Sequence, residues 1–148
     1  MKIQRTPLLA LLLTVGTATA DSVDVYAMIY QPGRPYASDT LYESAEDRTW
    51  IDRAITQDLL LLRLVPSLKY QITGFTDGEE CSGVACQELA LRRAELFQAE
   101  LIRAGAPSTR FCKPKAQVTP WPSTVRPTSE EKVLGRRATV DPIFDGCA

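Results

Sequence analysis

The chain has 148 residues, 24% of them charged, a formal net charge of −1 and no histidine. Without residues 1–20, which read as a leader, Lys2 and Arg5 are gone and 15 basic side chains face 18 acidic ones, a net −3. That balance argues against nucleic acid as a partner, since phosphate binding needs clustered positive charge, and the remaining residues 21–148 fit one domain with room for a core.

Met1 to Arg5 carries two positive charges and is followed by the apolar run Pro7 to Val15. Gly16 to Ala20 ends in small residues, with Ala18 and Ala20 where a signal peptidase reads, so cleavage is expected before Asp21. The run is about half the roughly 20 residues that span a bilayer, and nothing later is long and apolar enough to do so. No Cys follows the cleavage site, so the usual bacterial lipid anchor is not expected, and the mature chain should be soluble and exported.

Ser22 to Tyr30 places Val23, Val25, Ala27 and Ile29 on one side of a period-two pattern, which predicts a strand. Gln31 to Pro35 breaks it. Ser44, three residues before Asp47, is expected to cap a helix whose inner face holds Trp50, Ile51, Ile55, Leu59 and Leu62 and which stops at Pro66. Leu68 to Gly74 alternates again, and the strand–helix–strand order implies two parallel strands joined by a crossover. Gly74 to Gly78 is expected to end that strand as a polar turn. Ala90, Ala94, Phe97 and Leu101 mark a second amphipathic helix from Gln87 to Ala104, terminated by Gly105.

Arg110 to Lys113 is the candidate third strand, and Pro114 to Pro127, with four prolines around Trp121, is expected to lack regular structure. The last strand is expected over Arg136 to Ile143, with Ala138 and Val140 turned one way and Pro142 at an edge or end. Four cysteines in an exported chain read as two disulfides. Three pairings are possible; Cys81–Cys86 with Cys112–Cys147 is favoured, because the second bond would pin a terminus that otherwise frays. A zinc site would need His or a C-x-x-C, and the chain has neither.

Several local motifs then fall in a telling order. Gly74-Phe-Thr-Asp77 resembles the Gly-x-Thr-Asp turn of OmpA-like peptidoglycan-binding domains. Leu89 to Ala94 resembles that family's Leu-Ser-x-x-Arg-Ala helix start, Leu101 to Gly105 its Leu-x-x-x-Gly helix end, and Gly135 to Val140 its Asn-Arg-Arg-Val-Glu-Ile strand. The chain departs from the pattern at Ala90, where the family has Ser, at Cys86 and Gly135, where it has Asn, and in a longer loop from Gly78 to Cys86. The resemblance implies an α/β fold: a β-α-β-α-β(β) two-layer sandwich, its mixed sheet carrying two main helices on one face.

It also implies a function, non-catalytic binding of peptidoglycan in the periplasm through the diaminopimelate of the stem peptide. By the resemblance Asp77 takes the ligand's ammonium and Arg93 its carboxylate, for which a planar guanidinium fork is suited. Thr76 would orient the turn, N–H groups at the start of the second helix would assist, and of Arg136 and Arg137, which alternate across a strand, Arg136 is the candidate for the pocket. No cofactor or metal is expected; Glu79 and Glu80 read as a solvated charged run. With no His and the cysteines paired, no recognisable hydrolase signature remains, and an enzyme is not expected. The alternative is a periplasmic protein-interaction domain of the same fold with an altered pocket, its partners other proteins of the envelope or outer membrane. The loop from Cys81 to Cys86 discriminates: if it closes over Asp77, wall binding fails.

Overall fold

The computed structural model describes residues 27–119 and 128–147. The expected leader and cleavage site, the beginning of the first expected strand, and Trp121 lie outside these residues. Eight elements follow in order: β1 (Met28–Ile29), α1 (Leu41–Ser44), α2 (Arg48–Leu64), β2 (Lys69–Asp77), α3 (Val84–Arg103), β3 (Lys115–Thr119), α4 (Ser129–Gly135) and β4 (Arg137–Ile143). A single 3₁₀ turn, Ser108–Arg110, sits between α3 and β3.

The strands form one mixed sheet in the order β1-β4-β2-β3. β2 and β3 run parallel, with α3 in the crossover between them, whereas β4 is antiparallel to both β1 and β2. β1 and β2 therefore point the same way, as the strand–helix–strand order implies, but β4 lies between them. The register pairs Ile72 with Val140 and Gly74 with Ala138. Cross-strand partners share a face, so these four residues line one side of the sheet. Ile51, Ile55 and Leu62 of α2 and Phe97 and Leu101 of α3 close over that side in a single core. The result is the expected two-layer arrangement of helices on a mixed sheet.

α2 begins one turn later than expected. Its N-cap is Asp47, whose carboxylate accepts from the Thr49 N–H, while Ser44 belongs to α1, a single turn closed by a Thr40–Glu43 capping box. Its inner face holds Ile51, Ala54, Ile55, Asp58 and Leu62, with Trp50 and Leu59 only partly covered. Asp58 is fully buried, and neither of its carboxyl oxygens has a hydrogen-bond partner among the described residues. Burial, and secondarily the charge of Asp141, push its pKa up to about 8.

Two expectations about the C-terminal third are corrected. Arg110 to Lys113 is not a strand: it holds the end of the 3₁₀ turn and one bridge, Phe111 to Tyr70. The ladder with β2 begins only after Pro114, at Lys115 opposite Thr73, inside the segment expected to be irregular. Pro114 has no N–H to give a ladder, so here it precedes the strand instead of excluding it. Helix α4 was not expected either, although Thr128 and Glu131 form a capping box readable as Thr-x-x-Glu. Pro142 sits one residue from the end of β4, opposite Tyr70.

Candidate ligand-binding site

The site forms where β2 ends and α3 begins. Strand β2 runs through Gly74, Phe75 and Thr76 to Asp77, so the Gly-x-Thr-Asp residues are strand, and the turn starts at Gly78. Gly74 is required by close approach: a Cβ there would lie 1.9 Å from the Ala90 carbonyl oxygen of α3. The helix that carries Arg93 therefore lies directly against the strand that carries Asp77. On the other side, a Cβ at Gly135 would meet the Asp77 Cβ at 2.9 Å, so the end of α4 presses on Asp77 in the same way.

Arg93 is fully buried. Its five N–H donors meet five acceptors. Nε donates to the Arg34 carbonyl at 2.8 Å, Nη1 to the Phe75 carbonyl at 2.7 Å and Nη2 to the Gln31 carbonyl at 3.3 Å. The remaining two bonds go to the carboxylate of Glu80, Nη1 to Oε1 at 2.6 Å and Nη2 to Oε2 at 2.7 Å. The Tyr30 ring centroid lies 5.3 Å from the guanidinium, and the Tyr30 hydroxyl donates to the Arg93 carbonyl at 2.9 Å. Burial raises the Tyr30 pKa, keeping that hydroxyl a donor.

Glu80 is equally enclosed, its side chain 3% exposed. Besides the guanidinium, Oε1 accepts from the Asp77 N–H at 3.1 Å and Oε2 from the Gly33 N–H at 2.9 Å. A two-pronged guanidinium and two backbone N–H groups thus form a complete seat for one carboxylate, and the protein fills it with its own. The reading of Glu79 and Glu80 as a solvated run is corrected for Glu80. Glu79 is half-exposed and pairs with Lys132 of α4 at 2.5 Å.

Asp77 is 2% exposed. Its Oδ1 accepts the N–H groups of Glu79 and Glu80, both at 2.9 Å, so the loop does close over one of its oxygens. Its Oδ2 faces Arg136 Nη1 at 3.5 Å. Arg136 caps α4, is 8% exposed, and also donates from Nε to the Tyr30 carbonyl at 3.2 Å. Arg137 instead lies over the Phe75 ring at 4.0 Å. Among the described residues the buried Thr76 hydroxyl has no hydrogen-bond partner. Asp77, Arg93, Glu80 and Arg136 therefore form one buried, charge-balanced cluster at the end of the sheet, and neither Asp77 nor Arg93 opens onto a shallow polar mouth. Arg92, beside Arg93, is half-buried and reaches the Pro35 carbonyl at 3.3 Å.

The loop is held by a disulfide from Cys81 to Cys86, and a second bond joins Cys112 to Cys147. No helix among the described residues is long and apolar enough to cross a membrane.

No family model matches the chain, and no curated protein matches it in sequence. Solved structures do. The peptidoglycan-associated lipoprotein of Burkholderia pseudomallei is similar at a TM-score of 0.57 and 18% identity, over 79% of this chain and 90% of that one. The C-terminal domain of Helicobacter pylori MotB follows at 0.56 and 17%, over 69% and 79%. The cell wall anchor of the type VI secretion system (T6SS) of Pseudomonas aeruginosa is similar at 0.50 and 18%, over 71% of each. At such identities it is the fold that is shared, and the fold of this chain is that of the OmpA-like peptidoglycan-binding domains.

Proposed function

We propose that this chain is a non-catalytic peptidoglycan-binding domain of the periplasm, exported with residues 1–20 removed, that recognises the diaminopimelate of the stem peptide. The observation that carries the reading is the carboxylate seat of Arg93, Gly33 N–H and Asp77 N–H, which holds a carboxylate by four hydrogen bonds at the end of β2. A ligand carboxylate would exchange for that of Glu80, and Asp77 Oδ1, now held by the loop N–H groups of Glu79 and Glu80, would take the ammonium while Oδ2 stays with Arg136. Two disulfides suit an oxidising compartment, and the fold's solved neighbours include a peptidoglycan-associated lipoprotein and a cell wall anchor.

The test is co-sedimentation of the oxidised mature protein with insoluble peptidoglycan. Retention by diaminopimelate-type wall, competed by free meso-diaminopimelate and absent with lysine-type wall, is the expected result. Intact mass of protein from a periplasmic extract should match a chain beginning at Asp21.

A second reading, a protein-interaction domain with a closed pocket, is favoured by two observations: every donor of Arg93 is satisfied inside the chain, and the loop closes over one oxygen of Asp77. Failure of every form of the domain to pellet with either wall would promote it.

A further inference from the structure

The loop between β2 and α3 ties three consecutive residues to three different places. Glu79 pairs with Lys132 of α4, Glu80 with Arg93 of α3, and Cys81 is bonded to Cys86 in the first turn of α3. Cys86 and Arg93 are seven residues apart on one helix, about two turns, so they share a face. Both are buried there. The disulfide thus fastens the residue after Glu80 to the very helix face that presents the guanidinium. A carboxylate tethered this closely acts at a high effective concentration and competes with any external one.

We propose that Glu80 is an internal competitor: it occupies the carboxylate seat as a pseudo-ligand, and the Cys81–Cys86 bond is the tether that keeps it there. Resting on the reading of Arg93 as the ligand's carboxylate partner, this makes the described conformation the closed state. External carboxylates enter only when the loop of residues 78–83 swings away. Asp77 is coupled to the same movement. The N–H groups of Glu79 and Glu80 leave Oδ1 as the loop departs, so one motion frees both the guanidinium and the carboxylate for a zwitterionic ligand.

Two variants separate the tether from the competitor. Glu80→Ala empties the seat, and Cys81→Ala with Cys86→Ala keeps Glu80 but unties it. Sodium acetate is the first probe. It should raise the melting temperature of Glu80→Ala and shift the Gly33 and Asp77 amide resonances, with little effect on wild type. Insoluble diaminopimelate-type peptidoglycan is the second, and both variants should bind it at least about tenfold more tightly than wild type, equivalent to some 1.4 kcal/mol. The inference is overturned if acetate leaves the Glu80→Ala amides unmoved, or if wild type and the cysteine variant both bind wall and do so equally. Equal wall binding by all three forms would remove the competitor and keep the wall-binding function. Acetate entering the emptied seat while no form binds wall would keep the competitor and remove that function. Should Glu80→Ala fail to fold, the comparison of wild type with the cysteine variant decides alone.

Discussion

Glu80 meets Arg93 through both carboxylate oxygens, at 2.6 and 2.7 Å, in a place where neither side chain reaches solvent. Removing one partner of such a pair leaves the other charged and buried, at a cost of about 3–5 kcal/mol, whereas replacing both by apolar groups of similar volume costs far less. Glu80→Ala should therefore lower unfolding free energy by that amount in urea titrations, and Glu80→Leu combined with Arg93→Met should be more stable than Glu80→Ala. A loss below about 1 kcal/mol for the single variant would show that the pair is not buried as described.

Asp58 predicts an unusual pH dependence. Its folded pKa, raised to about 8, lies far above the ordinary carboxyl value. Between the two values the unfolded chain has released the proton and the folded one has kept it. Stability should thus fall as pH rises from about 4 to 8, by up to roughly 1.4 kcal/mol per unit from this group, and flatten above 8. The titratable group that acts on it from the sheet is Asp141 of β4. In Asp58→Asn the decline should disappear and stability at pH 7 should rise. Denaturant midpoints measured across that range decide it, and an unchanged slope in the variant would contradict the assignment.

Gly74→Ala should destabilise the domain, because its Cβ would meet backbone oxygen at 1.9 Å and no flexible side chain can give way. Overpacking of this kind costs about 1–3 kcal/mol, occasionally more. Thermal melting of Gly74→Ala beside Gly78→Ala, whose site lies in the loop, gives the comparison; equal melting temperatures would mean that α3 does not rest on β2 at this point.

The two disulfides should differ in worth. Cys112–Cys147 spans 35 residues and encloses β3, α4 and β4, while Cys81–Cys86 spans five. Chain-entropy scaling gives about 4 kcal/mol for the first and about 2 kcal/mol for the second. Paired alanine variants, compared by urea unfolding, should keep that order; a reversed order would show that the short bond does more than restrain its own loop.

The elements legible in the sequence are those with a strong period. Ala90, Ala94, Phe97 and Leu101 mark the inner face of α3, and Ala138 and Val140 that of β4, because burial alone sets these positions. β3 is illegible because Pro114 reads as a breaker, although it only precedes the ladder. In the site, Asp77, Arg93 and Arg136 were readable by resemblance to a family. Glu80 was not. Its partners come from α3, from the end of β2 and from Gly33, 47 residues earlier in the chain, so no local pattern distinguishes it from its half-exposed neighbour Glu79.

The Cys112–Cys147 bond also changes what a protease could accomplish. Strand β2 has β3 on one side and β4 on the other, and both lie within the covalent ring that this disulfide closes. A peptide bond cut anywhere from residue 113 to 146 yields two polypeptides that stay joined through sulfur. Such a nicked chain would run as one species until a reductant separates its fragments. Hydrolysis within that segment would therefore leave the strands on both sides of β2 attached to the rest of the domain.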